Sequence, residues 1–255
     1  MNTQSCRYKI VVSFDGSGYA GWQWQANGIS VQQRIEESIE KIFRIQLRIH
    51  GSSRTDTGVH AHGLVAHFDL PRRADGSPPM SAEKLPLALN SALPEDIRIT
   101  LGELVPDTFH ARFSATGKQY RYHVWNHRHA NPLMRNTVWH VPVDLDLESM
   151  RRACRLFPGK RDFRSFACTH DYHIEDTVRT VTRCSLRHAG PLLTFIIEGD
   201  GFLYRMVRGM VGTLVQVGKG RLDPESITSI LEEKDRQFAG QTAPAHGLVL
   251  WQVFY

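Results

Sequence analysis

Residues Lys9–Gln25 read KIVVSFDGSGYAGWQWQ, and the meaning of their glycines decides the fold. Gly16, Gly18 and Gly21 spell G-x-G-x-x-G directly behind a run with the composition of a β-strand, the written form of a dinucleotide-binding loop. Such a loop must open a helix, so that the helix N-terminus meets the pyrophosphate. Here Trp22-Gln23-Trp24-Gln25 and Asn27-Gly28 intervene, and the first helical pattern waits until Ser30. The acidic residue required about 20 positions further on would be Glu40, which falls mid-helix, out of reach of a ribose at a strand end. The dinucleotide reading is therefore rejected, and no nucleotide cofactor is expected. The glycines remain either a turn behind an edge strand or a place where the backbone passes close to another chain or a ligand. Trp22, Gln23, Trp24 and Gln25 can stack on bases and hydrogen-bond a backbone, with at least one indole expected in the core.

Outward from this stretch, Arg7–Asp15 reads as a strand. Ser30 can cap a helix, with Gln33 in the capping-box position and Val31, Ile35, Ile39 and Ile42 as its apolar stripe. Gln46–His50 and Leu64–Leu70 read as strands, PRRADGSPPMSAEK as a loop, 82–93 as a short helix interrupted by Pro86, and Ile97–Val105 as a strand. The succession then recurs without sequence repetition: a strand at Lys118–Trp125, a helix at Asp146–Phe157, a hairpin of Thr177–Arg187 and Leu192–Glu198, helices at Tyr204–Val217 and Pro224–Lys234, and a strand at Leu248–Phe254. The expected fold class is α+β. Two ferredoxin-like βαββαβ halves, residues 1–112 and 113–255, join into a continuous, mainly antiparallel sheet with helices on one face and a central active-site cleft. The same unit underlies RNA-binding modules, which suggests RNA by analogy of fold.

The chain has 255 residues, of which 41% are hydrophobic and 22% charged, the balance of a folded globular protein. No apolar run is long enough to span a membrane, and MNTQSCRYKIVVSF lacks the parts of a signal peptide, so a cytoplasmic location is expected. Residues 1–112 carry 12 charges of each sign, so the net +5 lies in 113–255 and is compatible with a polyanionic partner. Cys6, Cys154, Cys168 and Cys184 form no C-x-x-C pair and are expected to be reduced thiols.

The chemistry-bearing residues cluster in three further stretches. In GSSRTDTGVHAHG (51–63), Asp56 follows Arg54 and precedes Gly58, which permits a tight turn. His60 and His62 on a strand would face one side with no third ligand in sight, so no metal is expected. In FHARFSATGKQYRYHVWN (109–126), Tyr120 and Tyr122 share a strand face. In GDGFLYRMVRGMVG (199–212), Arg205 and Arg208 lie three apart in an otherwise apolar helix, where a charge demands a partner; Asp56 is a candidate.

In order along the chain, DGSGYAGWQWQ, RTDTGVHAHG, FHARFSA with YRY behind it, DFRSF (162–166), GDGFLYRMVRGMVG and HGLVLWQV resemble the tRNA pseudouridine synthase A family. The resemblance covers nearly the whole chain, and R-T-D-x-G-V-H-A is its most specific string. It implies isomerisation of uridine to pseudouridine on the 3′ side of the tRNA anticodon stem–loop, at family positions 38–40, without cofactor or metal. It also implies a homodimer, with one tRNA held across both subunits. Asp56 falls on the family's catalytic aspartate and Arg208 on the arginine that pairs with it. Tyr120 falls on the aromatic that lies against the target uracil. Arg54 falls on the arginine that fills the space of the extruded nucleotide, and Leu248 on an apolar residue of the uracil pocket. Trp22, Gln23, His60 and Arg205 are expected beside them as RNA-binding residues. The insert at 71–80 and the acidic loop ACTHDYHIEDT carry no family motif. A non-catalytic tRNA-binding protein of the same fold is the alternative; it has no use for Asp56, Tyr120 and Arg208 together.

Overall fold

The structure, a computed structural model, describes residues 5–168 and 176–255. It has an α+β fold with mostly antiparallel strand pairing. The chain forms two compact units, one of residues up to 116 together with 250–255, the other of residues 117–249. Of the acidic loop 167–177, residues 169–175 lie outside the described residues.

The first unit runs β1 (Ser5–Phe14), α1 (Val31–Phe43), β2 (His50–Gly51), β3 (His60–Pro71), α2 (Leu85–Asn90) and β4 (Ile97–Val105). β1 lies between β4 and β3, antiparallel to both, with β2 on the far side of β3. That is the ferredoxin-like order 4-1-3-2. β1 alternates cleanly, burying Cys6, Tyr8, Ile10, Val12 and Phe14 on one face. In β3 nearly every residue is buried, because both faces are covered.

α1 follows its pattern closely. Ser30 Oγ accepts from the Gln33 N–H at 3.1 Å, and Val31, Ile35 and Ile39 are fully buried. The capping box is half made: the Gln33 amide turns instead to Glu37, at 2.8 Å. Pro86 sits in the first turn of α2, where its missing N–H leaves no bond unmade, so it starts the helix rather than interrupting it. The strand expected at Gln46–His50 shrinks to His50–Gly51. The reason is competition from α1: Ile49 N–H donates to Glu36 Oε1 at 3.0 Å, and Gln32 Nε2 donates to Ile49 O at 3.2 Å. Side chains satisfy the backbone that a neighbouring strand would have taken.

The second face of β3 carries His67, 2% exposed, whose Nδ1 accepts the Ala111 N–H at 3.1 Å. That bond requires the neutral ring with its proton on Nε2. Burial, and then the charges of Arg7 and His110, push the His67 pKa down from 6.5 to about 4. An unfolded chain therefore binds more protons than the folded one between pH 6.5 and 4. The stabilisation is complete above pH 6.5 and is lost as pH falls toward 4, a loss of roughly 3 kcal/mol from this group. Urea titrations at pH 7 and pH 4 are expected to show that loss in the wild type and a clearly smaller one in His67→Gln, which keeps an acceptor but does not titrate. Equal losses in both would remove His67 as the source.

The second unit contains β5 (Gly117–Asn126), β6 (Trp139–Val141), α3 (Leu147–Cys154), β7 (Gly159–Asp162), β8 (Val178–Ala189), β9 (Leu192–Gly199), α4 (Met206–Gly218) and α5 (Ser226–Glu233), and the chain closes with β10 (Leu248–Phe254). The strand order is β5-β9-β8-β7, with β6 parallel on the other flank of β5. Neither β6 nor β7 is visible in the sequence pattern, since three or four residues are too few to show a period. α4 is buried nearly all round, and its glycines permit this. A Cβ at Gly209 would collide with the Phe166 carbonyl, and one at Gly212 with the Gln241 carbonyl. The expected helix start at Tyr204 is corrected to Met206, because Arg205 adopts a left-handed conformation, φ 58°, that no helix continues through.

Candidate active site

In the first unit, the expected carboxylate stands on a turn. Val59 N–H donates to Asp56 O at 3.1 Å, and Gly58, at φ +77°, supplies the left-handed third position of a type II turn. Asp56 itself is half-buried and Arg54 is exposed. The hydroxyls of Ser53 and Thr55 are buried with no hydrogen-bond partner among the described residues.

The glycine loop that opened the sequence braces this turn. A side chain at Gly16 would strike the Val59 carbonyl, and one at Gly21 the Thr55 carbonyl. Gly21 is also held at φ +93°. Trp22 N–H donates to Thr55 O at 3.2 Å, and Gly16 N–H donates to His60 Nδ1 at 3.0 Å. Gly18, by contrast, has open space where its Cβ would be. The G-x-G-x-x-G spacing thus reports two backbone-on-backbone contacts and no phosphate cradle.

Two residues expected to touch RNA are placed elsewhere. Trp22 is 2% exposed: its ring tilts against Phe14 at 6.2 Å and fills the space left by the missing side chain of Gly51. It is a core residue with no free face for a base. His60 is buried, its Nδ1 taken up by Gly16 N–H and lying 3.1 Å from Asp15 Oδ1. It positions the glycine loop. Burial opposes ionisation of Asp15, but hydrogen bonds from Ser17 and the neighbouring His60 outweigh it and hold the carboxyl below its usual range. Gln23 and Trp24 are exposed, and the Arg48 guanidinium lies 5.2 Å from the Trp24 ring. His62 stacks on Trp251 at 4.1 Å. Among the described residues, no group of three or more His, Cys, Asp or Glu could hold a metal.

In the second unit, Tyr120 and Tyr122 share a face of β5. Tyr120 is 8% exposed and meets Phe202 edge-on at 5.2 Å. Tyr122 is fully buried, donates to Pro244 O at 2.8 Å, and burial pushes its phenol pKa far up, so it stays neutral. Arg208, in the first turn of α4, donates from Nε to Ala243 O at 2.7 Å and accepts the Ala243 N–H on its own carbonyl at 3.1 Å. A Cβ on Gly247 would come within 2.6 Å of the Tyr122 ring. Arg208 and Tyr122 therefore pin 243–247 from two sides, and that segment delivers Leu248, buried, to the start of β10. Tyr122 and Gly247 carry no advance signal of this work, since a core tyrosine and a loop glycine look alike everywhere. Arg205, expected inside the apolar helix, is instead exposed ahead of it, with its guanidinium 4.7 Å from the Tyr204 ring.

The arrangement offers a half-buried carboxylate on a braced turn in one unit. In the other it offers an aromatic, a guanidinium and an apolar side chain on packed elements. A carboxylate so presented is able to serve acid–base or nucleophilic chemistry. The family model of tRNA pseudouridine synthases matches residues 10–114 and 153–255. Relatives called tRNA pseudouridine synthase A, from Streptococcus pneumoniae strains P1031 and Hungary19A-6, are each 43% identical to this chain over 252 residues, covering 98% of both chains.

Proposed function

The chain belongs to the tRNA pseudouridine synthase family, and from that premise we propose the uridines it isomerises and the residues that act on them. The substrate is the anticodon stem–loop of tRNA, at positions 38–40. The N1–C1′ bond breaks, the uracil turns, C5 bonds to C1′, the C5 proton leaves to water and N1 takes up a proton. Nothing is oxidised or reduced, so the reaction calls for no cofactor.

Asp56 is the reacting carboxylate, as nucleophile or base. The observation that carries this reading is the brace beneath it: backbone contacts from Gly16, Gly21 and Trp22 fix the turn that presents Asp56. A carboxylate that must be aimed to within a fraction of an ångström needs such support. Arg208 supports the ionised Asp56, and Tyr120 lies against the uracil. Arg54, exposed, fills the gap left by the extruded nucleotide, and Leu248 lines the pocket. The working form is a homodimer in the cytoplasm.

Tritium placed at C5 of uridine in an unmodified tRNA transcript tests the reading directly. Release of tritium to water without any added cofactor is expected, with pseudouridine mapping to positions 38–40 of the product. A folded protein that binds the transcript and releases no tritium would establish the non-catalytic alternative instead.

A further inference from the structure

The motif FHARFSA has no role in the chemistry above, yet its backbone is held by an unusual number of bonds. His110 Nδ1 accepts both the Arg112 and Phe113 N–H groups, at 3.1 and 3.3 Å. Ala111 N–H goes to His67 Nδ1, and Ala111 O accepts from the Tyr255 hydroxyl at 2.7 Å. Ser114 closes the turn twice, its N–H donating to His110 O and its Oγ accepting the His110 N–H, both at 2.9 Å. All this order ends in a ring that the fold does not bury. Phe113 is 76% exposed, against 53% or less for every other exposed aromatic side chain among the described residues. Its inner flank rests on the His110 ring at 4.3 Å, and the exposed Arg112 guanidinium lies 5.6 Å from its centroid.

A single apolar side chain at a surface is ordinary. A rigidly mounted aromatic with a cation beside it is a stacking platform, since every base offers a π-face and every nucleotide a phosphate. We propose that Phe113, with Arg112, takes an unpaired nucleotide of the tRNA substrate by stacking on its base. This rests on the reading of the chain as a tRNA-modifying enzyme. The occupant is a nucleic acid rather than a second protein surface because the ring's exposed neighbours on the turn, Arg112 and Ser114, are polar and the charge is positive.

The test compares Phe113→Ala, Phe113→Leu and Phe113→Tyr with the wild type. Dissociation constants are measured for two RNAs at fixed salt: the unmodified tRNA transcript, and a blunt, fully paired RNA duplex of similar length. Phe113→Ala and Phe113→Leu are expected to weaken transcript binding about 10-fold or more, with KM rising in parallel. Duplex binding moves less than about 2-fold, and Phe113→Tyr binds the transcript like the wild type. Unchanged transcript binding by Phe113→Ala overturns the proposal. So does full rescue by leucine, which would mean apolar cover, or equal loss on both RNAs. Loss of self-association in sedimentation with RNA affinity intact would assign the ring to a second copy of the chain. Failure of the wild type to release tritium while it binds the transcript sinks the enzyme reading alone, and failure to bind the transcript sinks the platform with it. Normal wild-type turnover with transcript binding unchanged in Phe113→Ala sinks the platform alone.

Discussion

Asp56→Ala is expected to release tritium from C5-labelled tRNA at least about 10³-fold more slowly than the wild type, while binding the transcript within about 3-fold of it. The rate expectation follows from removing the group that either bonds to the substrate or moves its proton, for which losses of this order are typical. The binding expectation follows from the structure. The turn bond at Asp56 runs from the Val59 N–H to the Asp56 backbone carbonyl, and Gly58 supplies the required φ, so neither depends on the carboxylate. Asp56→Asn keeps the shape and discards the charge, and should be nearly as slow. Substantial turnover by either variant would take Asp56 out of the mechanism and leave the braced turn unexplained.

The second large effect lies in the glycine loop, where two neighbouring glycines should behave oppositely. Gly21→Ala forces a side chain onto a residue at φ +93° and into the Thr55 carbonyl. The expected cost is about 2 kcal/mol or more, a fall of roughly 4–8 °C in melting temperature. Relief of the clash displaces the backbone just ahead of Asp56, and a misplacement of about 1 Å can cost on the order of 10²-fold in rate. Gly18→Ala adds its methyl to open space at an ordinary φ and should stay within about 0.5 kcal/mol of the wild type, with normal turnover. In a dinucleotide-binding loop the middle glycine, where backbone meets pyrophosphate, would be the sensitive one. Thermal melts and single-turnover rates of the two variants separate the cases. A damaged Gly18→Ala beside a healthy Gly21→Ala would reverse the assignment of the loop.

Much of this molecule is legible in one dimension. The alternation of Arg7–Asp15, the cap and stripe from Ser30, and the hairpin across Gly190 report local backbone preference and one-sided burial, which act over a few residues. Asp56 and Arg54 were singled out by the resemblance of R-T-D-x-G-V-H-A to a family motif, since the residue types alone equally suit an Asp that caps its own turn. What failed did so where distant groups competed. Glu36 and Gln32 took the backbone of Ile49 and shortened a strand. The Gly51 surface accepted Trp22 and left Trp24 outside, a choice between two identical side chains in neighbouring surroundings. Arg205 left the helix that its apolar neighbours predicted because the chain turns left-handed there.

The sequence by itself determined the α+β class and the rejection of a dinucleotide fold. Each rests on spacing, which a chain carries before it folds. Only the tertiary structure decided what Gly16 and Gly21 are for, that His60 is buried against the glycine loop, and that Phe113 stands clear of the core. Those properties belong to whatever backbone or solvent lies a van der Waals contact away. The Val59 and Thr55 carbonyls reach the glycine loop across 42 and 33 residues of intervening chain, and packing, which no local pattern encodes, brings them there.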